Sequence, residues 1–168
     1  MVYRVLINSL RQLSFAKFLQ VLRLVGSHPL FALLAFHATV RAFVLAKQHY
    51  PLSHSTDGPG NAFRHALWCC LILMYCCKVS SPRKSLEWCK RMTDMHEELF
   101  PNQPLQKKMD LHNNKIGMNL FMSMLPGIHR QFFETSFFID LLIEKTKQAV
   151  LVSDLNFDAG EHLMILEE

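Results

Sequence analysis

The sequence predicts an all-α fold, a compact single-domain bundle of about five to seven helices over residues 1–168. Apolar residues recur at spacings of three and four along most of the chain, which is typical of amphipathic helices. No segment alternates apolar and polar residues for long enough to build a sheet, and no internal repeat is present. Half of the residues are apolar, so a chain of 168 residues can bury one proper core.

Proline and glycine divide the first half of the chain into helices. Three are predicted there, over residues 14–25, 29–50 and 61–79. Pro29 suits the first position of the second helix, because its fixed φ is already helical and its missing N–H costs nothing there. The stretch between the second and third helices is rich in glycine, proline, serine and aspartate, which predicts a loop.

The second half is divided in the same way. Helices are predicted over residues 82–99, 106–125 and 132–150. Ser81 is the expected N-cap of the first of these, with Pro82 at its first helical position. Pro126-Gly127 ends the next helix. The tail 152–168 is less periodic, and no element is predicted in it.

Composition limits the compartment and the partners. The net charge is +4 with nine histidines counted as neutral, and no dense basic block occurs, so nucleic acid is not indicated. Four of the five cysteines lie in one apolar helix, which indicates buried thiols in a reducing compartment of synthesis. No signal peptide is evident, so synthesis is expected in the cytoplasm. The apolar run 29–46 is interrupted by His37 and Arg41, which predicts a buried helix rather than a membrane span.

The most informative stretch opens the third helix. Asn61, Arg64, His65 and Trp68 lie on one helical stripe, because their spacing is i, i+3, i+4 and i+7. Four polar-capable side chains on an otherwise apolar helix are costly unless partners meet them. A buried Arg64 in particular requires a carboxylate or an anionic ligand.

Two later motifs offer such partners. The first is His96-Glu97, near the end of the fourth helix; the second places Asp110, Asn113, Asn114 and Gly117 on one face of the fifth. Asparagines are poor helix formers, so two of them beside an aspartate indicate amides with buried partners. Gly117 on the same face predicts the close approach of another helix or of a ligand.

These side chains support two kinds of chemistry, between which the sequence does not choose. In the first, His65, His96, Glu97 and Asp110 ligate a divalent ion such as Zn, Mn or Fe, which activates a water molecule. In the second, no metal binds. His65 is then the general base, Asp110 or Glu97 orients it, and Arg64 stabilises anionic charge. The predicted substrate-binding residues are Asn61, Trp68, Asn113 and Asn114.

Taken in order, the three motifs resemble those of a bacterial toxin-associated helical domain of unknown function. Its pattern is Gly-Asn-Ala-Phe-Arg-His-Ala-x-Trp, then His-Glu, then Asp-x-x-Asn-Asn-x-x-Gly, matched here by residues 60–68, 96–97 and 110–117. The resemblance covers about residues 29–125. It implies a helical domain delivered to a competitor or host cell, with an immunity or carrier protein as partner, and it implies no settled reaction.

Two more distant likenesses concern the chemistry. The order His65, His96-Glu97 and Asp110 is similar to that of metal-dependent phosphohydrolases, which present His, His-Asp and Asp; here a glutamate replaces the first aspartate. Some phospholipases carry a catalytic histidine beside a carboxylate, whereas here Ala66 follows His65.

The leading prediction is therefore a hydrolase of a phosphoester or phospholipid, of the toxin-effector type. The alternative is a non-enzymatic protein that binds a membrane or a partner through its Phe- and Met-rich surface, with polar clusters that only fix the helix register. In either case a lipid or membrane surface is an expected partner.

Overall fold

The computed structural model describes residues 15–100 and 102–166, and it confirms the all-α fold. Six α-helices follow in chain order: α1 Phe15–Ser27, α2 Pro29–His49, α3 Pro59–Val79, α4 Pro82–Leu99, α5 Pro104–Met124 and α6 Ser136–Lys147. A 3₁₀ turn, Arg130–Phe132, precedes α6. Two short strands, β1 Val150–Leu151 and β2 Met164–Ile165, follow it. The predicted first residue of the first helix, Ser14, lies outside the described residues.

The helix starts follow the local chemistry, and two of them lie two residues before the predicted ones: α3 begins at Pro59 instead of Asn61, and α5 begins at Pro104 instead of Gln106. Pro29, Pro59, Pro82 and Pro104 each lie in the first turn of a helix, where a missing N–H costs no hydrogen bond. The Ser81 hydroxyl accepts a hydrogen bond from the Lys84 backbone N–H at 3.3 Å, which confirms the predicted cap.

Helix α3 is the central element. It contacts α2, α4, α5 and α6, and nearly all of its side chains are buried because other helices cover it on several sides. The five cysteines are free and buried, as the sequence predicts for thiols that pack as small apolar residues. The side chains on this helix are therefore fixed by packing on several sides.

Helices α3 and α5 cross in close contact at Gly117. A β-carbon placed on Gly117 would lie only 2.1 Å from the carbonyl oxygen of Ala66, so only glycine fits at this crossing. The Cys70 thiol also donates to the Gly117 carbonyl at 3.2 Å. The predicted close approach is thus an approach of helix to helix, and it brings the polar stripe of α3 against the polar face of α5.

The C-terminal part departs from the predicted helix 132–150. The backbone at Phe133 is extended, and this residue is buried against Phe121 and Phe138, so the helix begins only at Ser136. Val150 belongs to β1, which pairs in parallel with β2. Strands of two residues are too short to leave an alternating pattern, which explains why the sequence does not predict them.

Side chains of α5 form hydrogen bonds with the backbone of the C-terminal segment 154–164. The Asn113 amide donates to the Met164 carbonyl at 2.9 Å and accepts from the Met164 N–H at 2.8 Å. The Lys108 ammonium donates to the backbone carbonyls of Asp154, Leu155 and Phe157. These bonds tie the last described residues to the helix that carries Asp110.

Two helices, α2 and α3, are long and apolar enough to cross a membrane. The most apolar part of α3 is 78% buried inside the bundle, whereas that of α2 is only 28% buried. The prediction that the run 29–46 forms a buried helix is therefore correct for one of its faces only. That face carries the small buried residues Ala35, Ala38, Ala42 and Ala46.

Candidate functional site

Three side chains from three helices converge in the interior. They are His65 on α3, Glu97 on α4 and Asp110 on α5, and one ligand-type atom from each lies within 4.8 Å of the others. All three residues are buried, with exposed fractions of 6%, 2% and 4%. The packing of the three helices therefore collects one imidazole and two carboxylates at one point.

A repeated register between α3 and α5 produces this convergence. Polar side chains 49 positions apart face each other at three successive turns: Asp57 with Gln106, Asn61 with Asp110, and His65 with Asn114. Residues four apart lie on the same face of each helix, so the two helices run in the same direction here. The first pair anchors the loop before α3, and the other two pairs build the site.

Both ring nitrogens of His65 have protein neighbours. Its Nδ1 lies 3.2 Å from Oδ1 of Asn114, and its Nε2 lies 3.3 Å from Oδ1 of Asp110. The Arg64 guanidinium approaches the same Nε2 at 3.4 Å. Burial, together with the positive charge of Arg64, lowers the pKa of His65 to about 3, so the ring is neutral at physiological pH.

Arg64 is held by oxygen atoms of the protein. Its guanidinium donates to the His54 carbonyl and, at 2.6 Å, to Oδ1 of Asn61. The Asn61 amide in turn points its N–H₂ group toward Oδ1 of Asp110 at 3.5 Å. Burial lowers the pKa of Arg64, while the negative charge of Asp110 opposes that shift. Asn61 therefore links the cation to the carboxylate.

The two carboxyl groups carry raised pKa values. Burial raises the pKa of Glu97 to about 7, and the nearby charge of Asp110 adds to this effect. Burial raises the pKa of Asp110 to about 6, against the opposing effects of Arg64 and of the Asn102 amide, which donates to Oδ2 at 3.2 Å. Among the described residues, Oε1 of Glu97 is buried without any hydrogen-bond partner.

A cavity of about 230 Å³ opens against this group. It is lined by Thr39, Ala42, Phe43, Arg64, His65, Trp68 and His96. The Trp68 indole donates to the Thr39 hydroxyl at 2.9 Å, so its ring is fixed as one wall. His65 thus both lines the cavity and contacts Asp110, while neither Glu97 nor Asp110 is among the lining residues.

The structure places His96 apart from the predicted metal ligands. Its ring packs against Trp68 and Phe100, with centroid distances of 5.2 and 4.9 Å, and it lines the cavity. Burial and the charge of Arg64 lower the pKa of His96 to about 4. Adjacent residues on a helix point in different directions, so Glu97 reaches the carboxylate of Asp110 while His96 faces the cavity.

The two predicted asparagines also separate. Asn114 supports His65, but both polar atoms of the Asn113 side chain are bonded to the backbone of Met164. Asn113 is therefore a clamp on the tail and does not join the site. Asn61 and Trp68 do join it, the first through Arg64 and Asp110 and the second as a cavity wall.

The sequence does not single out three further residues of this network. Asn102 donates to Asp110, the Cys69 thiol lies 3.5 Å from Oδ1 of Asn114, and Gln106 donates to Asp57. Gln106 could have been found, because it lies one helical turn before Asp110. Asn102 lies in a turn and Cys69 in an apolar run, so neither carries a sequence signal.

A polar group of one histidine, two carboxyl groups and one arginine inside a helical bundle, beside a cavity, defines a small all-α domain with a buried polar centre. Residues 22–150 match the model of the family described as a domain of unknown function, DUF6973, and the chain belongs to this family. The matched range includes residues 60–68, 96–97 and 110–117. No curated protein and no solved structure matches the chain.

Proposed function

We propose that this protein is a metal-dependent hydrolase in which His65, Glu97 and Asp110 hold one divalent cation. The observation that carries this proposal is the convergence of their ligand atoms within 4.8 Å, with one buried oxygen of Glu97 lacking a partner among the described residues. A buried carboxylate oxygen without a hydrogen bond is costly, and a cation would remove that cost.

The surroundings of the three ligands suit a cation. His65 is neutral, as a metal ligand must be, and Asn114 accepts from its Nδ1–H, which leaves the lone pair of Nε2 directed toward Asp110. Glu97 lies in the last turn of α4, where the helix dipole disfavours negative charge. A bound cation would offset both this dipole and the mutual repulsion of the two carboxylates.

The same geometry argues against His65 as a general base. In a base–orienter pair, one ring nitrogen contacts the orienting group and the other faces the substrate. Here Nε2 contacts Asp110, and Nδ1 faces Asn114 in the core, so neither nitrogen is available to take a proton from a substrate. Ligation through Nε2 uses the same contacts without this conflict.

One nitrogen and two carboxylate ligands suit Zn, Mn or Fe, the metals also expected for the four-ligand set that included His96. An ion held by His65, Glu97 and Asp110 would supply an activated water molecule for attack on an ester. The cavity adds the charge of Arg64 and the apolar walls of Ala42, Phe43 and Trp68. An anionic ester with an apolar part, such as a phosphodiester or a phospholipid, fits this combination.

The test is elemental analysis of the purified protein beside two variants. Asp110→Asn removes a ligand charge and keeps the side-chain shape, and Asp140→Asn makes the same change at an exposed position on α6. We expect about one equivalent of Zn, Mn or Fe in the parent and in Asp140→Asn, and little in Asp110→Asn, with equal helicity by circular dichroism. Hydrolysis of bis-p-nitrophenyl phosphate should follow metal content.

A parent protein that takes up none of the three metals would contradict the proposal. The toxin-associated resemblance adds one expectation to it. If the protein attacks a component of a target cell, induced synthesis of the parent should arrest growth of a bacterial host, and synthesis of Asp110→Asn should not.

A second function is favoured by one specific observation. Both nitrogens of His65 contact protein groups, and Arg64 and Asn61 are bonded to their neighbours, as in a network that only fixes the helix register. In a non-enzymatic binding protein of this kind, Asp110→Asn would lower the melting temperature without any change in metal content. The elemental analysis therefore separates the two functions.

A further inference from the structure

Helix α2 has two apolar faces, and the bundle covers only one of them. The small residues Ala35, Ala38, Ala42 and Ala46 pack inward. On the opposite side, six large apolar side chains are 44–68% exposed: Leu30, Leu33, Phe36, Val40, Phe43 and Val44. Large apolar residues that recur along one exposed helix face mark an interaction surface.

Helix α1, which contacts α2, adds more exposed apolar surface. Its Phe18, Leu22 and Val25 are 40–49% exposed and recur at helical spacing. We call the exposed apolar side chains of these two helices the α1–α2 surface. Helices with such a face and with basic polar residues are the type that lies in the interface of a bilayer.

The charge distribution indicates what covers the α1–α2 surface. The first 56 residues contain no aspartate or glutamate, and all 14 acidic residues follow from Asp57 onward. The described part of this segment carries Lys17, Arg23, Arg41 and Lys47. Helices α1 and α2 thus contribute large apolar side chains and only positive charge, with Arg23 beside Asp94 and Glu98 of α4 and Arg41 donating to Thr135. The combination on these two helices is complementary to an anionic phospholipid bilayer.

The cavity of the candidate site adjoins the same surface. Phe43 is 44% exposed on the outer side of α2 and also lines the cavity, together with Thr39 and Ala42 of that helix. Arg64 and His65 also line it. A molecule bound at the α1–α2 surface is therefore next to the cavity and can enter it along α2.

We propose that the α1–α2 surface docks on anionic phospholipid membranes, with its apolar side chains among the acyl chains and its basic residues at the headgroups. Docking brings the cavity to the bilayer, so phospholipid becomes the substrate class of the proposed hydrolase. This assignment of the substrate rests on the proposed function, whereas the docking itself does not. A symmetric pair of copies is disfavoured, because an isologous contact would set these basic surfaces against each other.

The test is flotation of the purified chain with vesicles, without added metal. We expect it to float with vesicles made of equal parts phosphatidylcholine and phosphatidylserine, and to float weakly with phosphatidylcholine alone or in high salt. The variant Leu33→Ser/Phe36→Ser removes the two most exposed apolar side chains of α2 and should weaken binding by about tenfold or more.

Two controls make this result specific. Phe132→Ser/Leu155→Ser removes exposed apolar side chains elsewhere in the molecule and should float like the parent. Asp110→Asn should also float like the parent, because docking does not need the polar centre. Flotation of the parent tests the docking proposal and the metal content of Asp110→Asn tests the hydrolase proposal, so the failure of one is distinguishable from the failure of the other.

Two outcomes would overturn the docking proposal. In the first, the parent does not float with anionic vesicles. In the second, light scattering finds a stable dimer that Leu33→Ser/Phe36→Ser dissociates, which would mean that a second copy of the chain covers the α1–α2 surface.

Discussion

Nδ1 of His65 lies 3.2 Å from Oδ1 of Asn114, a residue 49 positions later on a parallel helix. This contact fixes the orientation of the ring and leaves Nε2 toward Asp110. It depends on the close crossing of α3 and α5 at Gly117, because a wider spacing between the two helices would move Asn114 away from His65. One glycine therefore sets the geometry of a contact between Asn114, one turn away on its own helix, and His65, the neighbour of Ala66 on the partner helix.

Asn114→Ala should weaken metal binding by about 10- to 100-fold, because a histidine ligand loses the group that orients it. Asn113→Ala is the matched control: it removes the neighbouring amide, whose bonds within the described part of the chain are to the Met164 backbone. This control should lower the free energy of unfolding by about 1–3 kcal/mol and leave metal affinity nearly unchanged. Calorimetric titration with Mn²⁺ or Zn²⁺ and urea denaturation measure the two effects. Equal metal affinities for the two variants would count against the orienting role of Asn114.

Metal binding should strengthen with pH between about 5 and 8. The pKa values near 6 for Asp110 and near 7 for Glu97 mean that protons occupy the carboxylates below these values, and a cation must displace them. We expect affinity at pH 6 to be about tenfold or more below that at pH 8. Calorimetry in buffers of different ionisation enthalpy should detect the released protons. A pH-independent affinity would mean that the carboxylates are not ligands.

Glu97→Gln should stabilise the metal-free protein at alkaline pH. The folded-state pKa of Glu97 is raised to about 7, so as the pH rises the unfolded chain loses this proton before the folded chain does. The parent therefore loses stability between about pH 4.5 and pH 7, and the loss persists above pH 7. Glutamine carries no such penalty. The variant should therefore exceed the parent by about 1–3 kcal/mol at pH 8 and match it near pH 4.5. Urea denaturation at both pH values, in the presence of a chelator, would reveal the reverse trend if the sign is wrong.

Gly117→Ala should be strongly destabilising, by about 3 kcal/mol or more, because the new β-carbon would overlap the Ala66 backbone, which cannot rotate away. Gly26→Ala tests helix propensity alone. Nothing lies within 4 Å of a β-carbon at Gly26, near the end of α1, so alanine there should be neutral or stabilise by up to about 1 kcal/mol. Thermal melting of the two variants measures the difference. Similar melting temperatures would show that α3 and α5 can separate at little cost.

Much of the fold could be predicted because it is determined by residues that are close together in the sequence. Pro82 marks a helix start, Ser81 caps it, and the continuous apolar pattern of α3 predicts its central burial. The same holds for the polar stripe of α3, since its spacing depends only on helix geometry. The prediction fails at Phe133, where burial of an aromatic ring against other helices outweighs local helix propensity.

The candidate site could be predicted only as a set of residue types. His96 and Glu97 are neighbours in sequence, as are Asn113 and Asn114, and in each pair only one member reaches the group around His65. The choice depends on how each helix is rotated about its own axis. That rotation is set by tertiary packing between residues 49 positions apart, so it cannot be predicted from the local pattern of a single sequence.

The clamp on the tail has a consequence for the order of events during synthesis. A ribosome releases Asn113 long before Met164, which follows 51 positions later, and the Leu166 N–H that bonds to the Asp57 carbonyl emerges later still. Until Met164 has been synthesised, the buried side-chain amide of Asn113 on α5 lacks its hydrogen-bond partner. The clamp can therefore form only after residue 164 has been synthesised, so α5 gains this contact later than its contacts with the preceding helices can form.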